Sequence, residues 1–268
     1  DIRRTWPGRV EFIAIPDYRV LKKTRRYQQQ WRRDIRRFAS MGSRICKFWA
    51  APRARERFGF TIDHPWVRPV IDQALDCGFS FMVHVADPDT WFATHYADAS
   101  VFGTKAENYE QLHWFADYVA PRPVIGAHFI GHPEDLDHLD ALFEQHPNLM
   151  LDTSATKWIA REISRQRTGR VRRFFREHAD RILWGSDLVI DPKYDFTHYA
   201  SRFWVHQMLW ESDFRGKSPI QDPDLNGQMA RLRGVNLPDA VLGRIYFDNF
   251  QRLMGEIEAG LYEQGADS

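Results

Sequence analysis

With 268 residues, 43% of them hydrophobic and 27% charged, the chain has the size and balance of a globular domain with a large core. A net charge of +1 excludes a strong electrostatic drive toward nucleic acid or an anionic membrane, and no run of about 18 apolar residues offers a membrane span. Two cysteines, Cys46 and Cys77, form neither a zinc pattern nor a disulfide framework, so a reduced, cytoplasmic setting is the expectation.

Strand-like and helix-like segments alternate from the start. Residues 10–15 (VEFIAI) predict a strand closed by Pro16-Asp17, and residues 23–41 a helix with Tyr27, Trp31, Ile35 and Phe38 on one face. The arginines of that segment, Arg25, Arg26, Arg32, Arg33, Arg36 and Arg37, read as its solvated face. Residues 45–49 (ICKFW) are a second strand. Asp63 reads as an N-cap with Pro65 in the first turn of a helix that buries Val67, Val70, Ile71 and Ala74 and ends at Gly78. Residues 79–84 form a third strand ending in His84. A polar, aromatic loop over 86–103 has the length of a substrate wall.

A helix with Tyr109, Leu112, Phe115 and Val119 leads to a fourth strand ending in His128. Leu136, Leu139, Leu142 and Phe143 mark the next helix, 148–154 a fifth strand, 171–178 a helix, and 182–187 a sixth strand ending in Asp187. Two aromatic-rich helices, near 197–211 and 238–258, flank a Pro/Asp/Gly-rich loop at 216–227.

Alternation on this scale means a parallel sheet with helical crossovers. A doubly wound sheet and a (β/α)8 TIM barrel both fit. No glycine-rich phosphate loop follows the first strand, and polar residues end several different strands, which favours the barrel. The expectation is one α/β domain over 1–268.

In a barrel the strand ends converge, so His84, His128 and Asp187 are expected on one face. Two imidazoles and a carboxylate suit a zinc-type site. His84 and Asp187 are the candidate metal ligands, with Asp187 also a proton acceptor. His128 is the candidate acid–base group, because histidine titrates near neutrality. Lys47, inside an apolar strand, has three readings: binding a substrate carboxylate, binding metal after carbamylation, or reaching solvent at the strand end. Arg161, Tyr96 and Lys105 are candidates for an anionic substrate pocket, beside the plain alternative of ordinary surface. Asp152 reads as a turn cap, and His132 as a cap or an outer neighbour of the site.

The succession KFW, MVHVADP, GAHFIGHPEDL, LDTSAT and RILWGSDL, with the ending GRIYFDNFQRLM, resembles the amidohydrolase superfamily. The nearer resemblance is to its amidohydrolase-related branch, which includes aminocarboxymuconate-semialdehyde decarboxylase, γ-resorcylate decarboxylase and pyrone-dicarboxylate lactonase. It covers residues 10–254. The resemblance implies a (β/α)8 barrel with a mononuclear divalent metal, zinc first and manganese as the alternative. By motif position His84 matches the strand-five ligand, His128 the strand-six catalytic histidine and Asp187 the strand-eight aspartate. Lys47 falls on strand four, where some members carry a carbamylated lysine.

The branch's strand-one His-x-His has no counterpart here, and the first strand matches strand three. The expectation is therefore an N-terminally incomplete barrel holding strands three to eight, with a natural six-stranded relative as the alternative. Such a chain is expected to expose sheet edges and the barrel interior, and so to associate or be unstable. The implied activity is metal-dependent hydrolysis of a small carboxylated or lactone substrate. The alternatives are non-oxidative decarboxylation of an aromatic or unsaturated acid, and a non-catalytic barrel remnant serving as a binding module. The expected partners are a small molecule and, as the further option, a second copy of the chain in a homo-oligomer, with neither nucleic acid nor membrane.

Overall fold

Short runs of Ile, Val, Leu, Met and Phe pair side by side into one parallel sheet. The structure, a computed structural model, describes residues 5–6, 9–19, 21–260 and 262, so both ends of the domain expected over 1–268 lie outside the described residues. The strands are β1 (Ile13–Ala14), β2 (Ile45–Trp49), β3 (Ser80–His84), β4 (Val124–Gly126), β5 (Leu149–Asp152) and β6 (Ile182–Leu183), and their spatial order is their chain order. Each pairing is parallel, so each connection is a crossover.

The long crossover helices are α1 (Arg25–Ser40), α3 (Arg68–Asp76), α6 (Lys105–Tyr118), α7 (Leu136–Gln145), α8 (Thr156–Arg165) and α9 (Thr168–Glu177), with short α2 (Pro52–Phe58), α4 (Asp89–Thr94) and α5 (Ala99–Phe102) between them. Local chemistry sets their starts. Thr24 caps α1 by accepting from Tyr27 N, and Thr104 with Glu107 forms a capping box on α6. After β6 come α10 (Phe196–Trp210), a hairpin of β7 (Arg215–Gln221) and β8 (Met229–Arg233), α11 (Asp239–Gly243), a π-helical turn over Arg244–Asp248, and α12 (Asn249–Glu258).

Strand alternation gives the sheet two apolar faces. Cys46, Phe48, Phe81, Val83, Val124, Leu149, Leu151 and Ile182 pack outward against Trp31, Ile35, Ile71, Leu112, Phe115 and Leu139 of the crossover helices. Ile13, Ile45, Met82, Ile125, Met150 and Leu183 point to the other side. In register, Lys47, Met82, Ile125 and Met150 form one row across that side, and Trp49 pairs with His84 in the row above.

The described residues form an open six-stranded sheet of barrel type, not a closed barrel. The expectation that the inner face lies bare is corrected. Phe250, Leu253, Met254 and Ile257 of α12 pack onto Ile45, Ile125, Met150 and Leu183, and a buried Leu or Ile contributes roughly 1.5–3 kcal/mol. The β6 edge is also held. Trp184 N donates to Ile245 O at 2.9 Å, and Asn249 Nδ2 donates to Ala179 O and Ile182 O at 2.7 and 2.8 Å.

Four local expectations are also corrected. The helix expected from Asp63 begins at Arg68, because a turn at 63–67, closed by Val67 N to His64 O, precedes it. The loop at 86–103 contains α4 and α5. Helices α2 and α8 are additions to the expected elements, although Ile159, Ala160 and Ile163 on α8 have helical spacing. The loop at 216–227 lies within the β7–β8 hairpin, where Pro219 weakens the strand pattern but Asn226-Gly227, both at positive φ, is a hairpin signal.

Candidate active site

The site is built where the apolar inner face of the sheet ends. His84 closes β3, and its Nε2 lies 2.8 Å from Asp87 Oδ1. Tyr96 OH donates to the other Asp87 oxygen at 2.5 Å. Asp87 is 2% exposed. Burial pushes its pKa up, but the adjacent His84 and the two hydrogen bonds outweigh burial and hold it below the usual carboxylate range. An ionised Asp87 only accepts, so His84 donates from Nε2 and its Nδ1 is turned away from Asp87. Metal-binding histidines use this carboxylate-backed arrangement.

His128 sits in an unusual turn. From β4 the chain enters the left-handed region at His128, Phe129, Ile130 and Gly131, with φ of 59°, 52°, 54° and 69°. Each non-glycine residue there costs roughly 1–2 kcal/mol. The turn is held by non-local bonds: His128 N donates to Asp152 Oδ1 at 2.8 Å, and Tyr109 OH donates to Ile130 O at 2.9 Å. Only glycine fits at 131, where a Cβ would stand 2.1 Å from the Ala86 carbonyl oxygen. That close approach locks the turn against the loop after β3, and the His84 and His128 rings meet edge to face at 4.7 Å.

The protonation of His128 follows from its neighbours. The Ser154 hydroxyl donates to Asp152 Oδ1, so its oxygen accepts from His128 Nδ1 at 2.6 Å. Nε2 is left with a free lone pair. Burial, reinforced by His84 and Lys47, holds the His128 pKa well below its ordinary value, so the ring is neutral at pH 7.

Asp187 follows β6 in Gly185-Ser186-Asp187, itself at φ 53°. A relay fixes this turn. Trp210 Nε1 donates to His206 Nδ1 at 3.1 Å, so His206 Nε2 donates to Thr156 Oγ1 at 3.1 Å, and that hydroxyl donates to Ser186 O at 3.3 Å. Burial lowers the His206 pKa to about 4, which keeps it neutral. Burial raises the Asp187 pKa, Asp152 adds to the rise, and Lys47 and His84 oppose it.

His84, His128, Asp187 and Lys47 line one cavity of about 700 Å³ at the strand ends, walled by Tyr18, Trp49, Trp91, Trp158 and Tyr194. A second cavity of about 410 Å³ lies beneath, among Ile13, Ile45, Met82 and Ile125, and shares Lys47, His128 and Asp187. The Lys47 amine makes no hydrogen bond or ion pair among the described residues.

Three expected substrate contacts are corrected. Tyr96 is 2% exposed, and its hydroxyl is committed to Asp87, behind His84. Arg161 is also 2% exposed and is spent on Glu162, Asp222 and Asp224 at 2.6, 2.5 and 3.0 Å. Neither lines the 700 Å³ cavity. Lys105 likewise pairs with Asp89 and Glu134 at 2.6 and 3.0 Å. Asp152 caps Ser154 N, as expected, and also holds His128 N. Sequence reading missed Ser154, His206 and the tryptophan walls. Trp49 alone left a signal, as the last residue of the ICKFW strand.

The donors at the strand ends fall short of a zinc site. His84 Nδ1 and an Asp187 oxygen are the right chemistry on one cavity, but a catalytic zinc site uses three protein ligands. Among the described residues the strand-end groups do not bring three such donors together. Two other sets do, Asp89–His132–Glu134 and Asp140–Glu177–His178. Lys105 already neutralises the first, and Arg170 bonds Asp140 in the second.

Comparison with family models and with curated proteins finds no match. Solved structures do match. An uncharacterised TIM-barrel protein of Bordetella bronchiseptica shares 14% identity at TM-score 0.51, over 96% of this chain and 70% of that one. A 4-oxalomesaconate hydratase of Rhodopseudomonas palustris also shares 14% at TM-score 0.51, over 97% and 70%. A probable 2-pyrone-4,6-dicarboxylic acid hydrolase of Acinetobacter baumannii shares 11% at TM-score 0.49, over 94% and 76%. Likeness at this identity establishes the fold.

Proposed function

We propose that the chain is a hydrolase of the amidohydrolase-related branch, acting on a small carboxylated or lactone substrate in the 700 Å³ cavity. One observation carries the reading: a neutral, oriented imidazole, a carboxyl of raised pKa and a lysine amine unpaired among the described residues line the same cavity from three different strand segments.

Lys47 binds the substrate carboxylate. Its amine has no partner among the described residues, and a cation in an aromatic-walled cavity gains from an anion. His128 Nε2 accepts the proton of the attacking water, with Nδ1–H tied to Ser154 so that the ring cannot turn away. Asp187, its pKa lifted by burial, takes up a proton and returns it to the leaving oxygen.

His84 and, in its ionised form, Asp187 would be this chain's own donors to a divalent metal of the branch, zinc or manganese, with Asp87 orienting His84. Such a metal, when bound, supplies Lewis acidity and lowers the pKa of water. Its further ligands are not among the described residues, so the roles of Lys47, His128 and Asp187 above stand on their own geometry. The free thiols of buried Cys46 and of Cys77 suit a reduced, cytoplasmic setting, and no described helix is long and apolar enough to cross a membrane. Exposed Val189, Ile190, Phe196 and Phe247 offer contact area to a second copy of the chain.

The test is a panel of lactones and aromatic acids read simultaneously for ring opening and carbon dioxide release. Ring opening that is lost in His128→Asn supports the reading. Carbon dioxide release would replace it with decarboxylation, and inertness toward the whole panel with the binding-module reading. Titration of zinc and manganese into the protein and into His84→Ala tests the metal.

A further inference from the structure

A second polar space lies behind the catalytic cavity, between α8 and the β7–β8 hairpin. The hairpin is strictly two-faced. Ser218, Ile220, Ala230 and Leu232 are buried, with Ile220 and Leu232 packed on Ala160 and Val205, while Arg215, Lys217, Arg231 and Arg233 are exposed. The antiparallel register sets Arg215 opposite Arg233 and Lys217 opposite Arg231. Directly opposed residues stand about 5 Å apart, and like charges so placed destabilise a ladder.

These charges go unanswered. None of the four side chains makes an ion pair or hydrogen bond among the described residues. They open onto a groove of about 1180 Å³ that also takes in Arg161 and Arg165, and no acidic residue lines it. Arg161 and Arg165 are neutralised by Glu162, Asp222 and Asp224; the hairpin four are not. Edge charges that serve solubility alone are ordinarily of mixed sign. In a chain of net charge +1, two stacked like-charge pairs are a local excess.

We propose that this groove binds a compact anion carrying several phosphate groups, which bridges the two cationic pairs. Residues two apart on one strand lie about 6.8 Å apart, so the four side chains present a small grid, too close for independent monoanions and suited to one multivalent ligand. No aromatic side chain lines the groove, which removes the stacking platform that single-stranded nucleic acid uses.

The experiment is calorimetric titration of the whole protein with sodium tripolyphosphate at low ionic strength, beside orthophosphate and a short single-stranded oligonucleotide. One saturable site is expected, at least tenfold tighter for tripolyphosphate than for either comparator. The pair Lys217→Ala with Arg231→Ala should weaken it at least tenfold, as should Arg233→Gln alone to a smaller degree. Tripolyphosphate should raise the Tm of the wild type and not of the pair variant, whose own Tm in plain buffer should equal or exceed wild type because a repulsion has been removed. Absence of saturable binding, equal affinity in wild type and variants, or tighter binding of the oligonucleotide would each overturn the proposal.

Discussion

Met82 and His84 lie two residues apart on the same face of β3, yet they belong to different kinds of matter. Met82 belongs to an apolar floor that α12 covers, and His84 to a polar rim around a 700 Å³ cavity. The floor is packed by shape, with Lys47, in register with Met82, as the one charged residue of its upper row. The rim is held by side-chain hydrogen bonds: Asp87 to His84, Ser154 and Asp152 to His128, His206 through Thr156 to Ser186. One strand therefore carries stability at its start and chemistry at its end, as barrel proteins do.

That division can be broken by substitution. At the rim, His128→Asn should lower kcat/KM on the substrate found by the panel about 10²–10⁴-fold, with Tm nearly unchanged. At the floor the pattern should invert: Leu253→Ala should cost about 2–5 kcal/mol in urea unfolding, with kcat close to wild type in what remains folded. A Leu253→Ala protein that kept its stability and lost its rate would erase the distinction between floor and rim.

The relay beneath Asp187 gives a pH test. The folded pKa of His206 is about 4, against about 6.5 unfolded, so the unfolded state binds more protons between these values. Stability from a neutral His206 is complete above about pH 6.5 and declines as pH falls toward 4, by roughly 3 kcal/mol. Unfolding free energies for His206→Gln should fall less steeply over that window than those of the wild type; equal slopes would remove His206 from the account. The smallest effect is expected at Ser154→Ala, which frees the His128 ring. A loss of about tenfold in kcat with KM unchanged is predicted, from one hydrogen bond of orientation. A pure KM effect there would mean that Ser154 contacts substrate instead of steering His128.

Much of the frame was legible because it is written in local periods. The apolar runs ending at His84, His128 and Asp187 announced three strands and their order, and the stripe Leu136, Leu139, Leu142, Phe143 announced α7. The resemblance of the strand-end motifs then implied roles for the terminal residues. Tyr96 and Arg161 were misread because an isolated polar residue in a sequence does not disclose its partner: Asp87 claims the first, and Asp222, 61 positions away, claims the second.

The sequence by itself thus determined the strand and helix repeats and the polar residue that ends each run, since both follow from neighbours a few positions apart. Tertiary structure alone decided three things. It bent residues 128–131 into a left-handed turn that Asp152 and the Ala86 carbonyl make tolerable. It laid α12 over a face that a closed barrel would keep for its own strands. It set four cations in opposed pairs on the hairpin. Each depends on contacts distant in the chain, whose energies no local window contains.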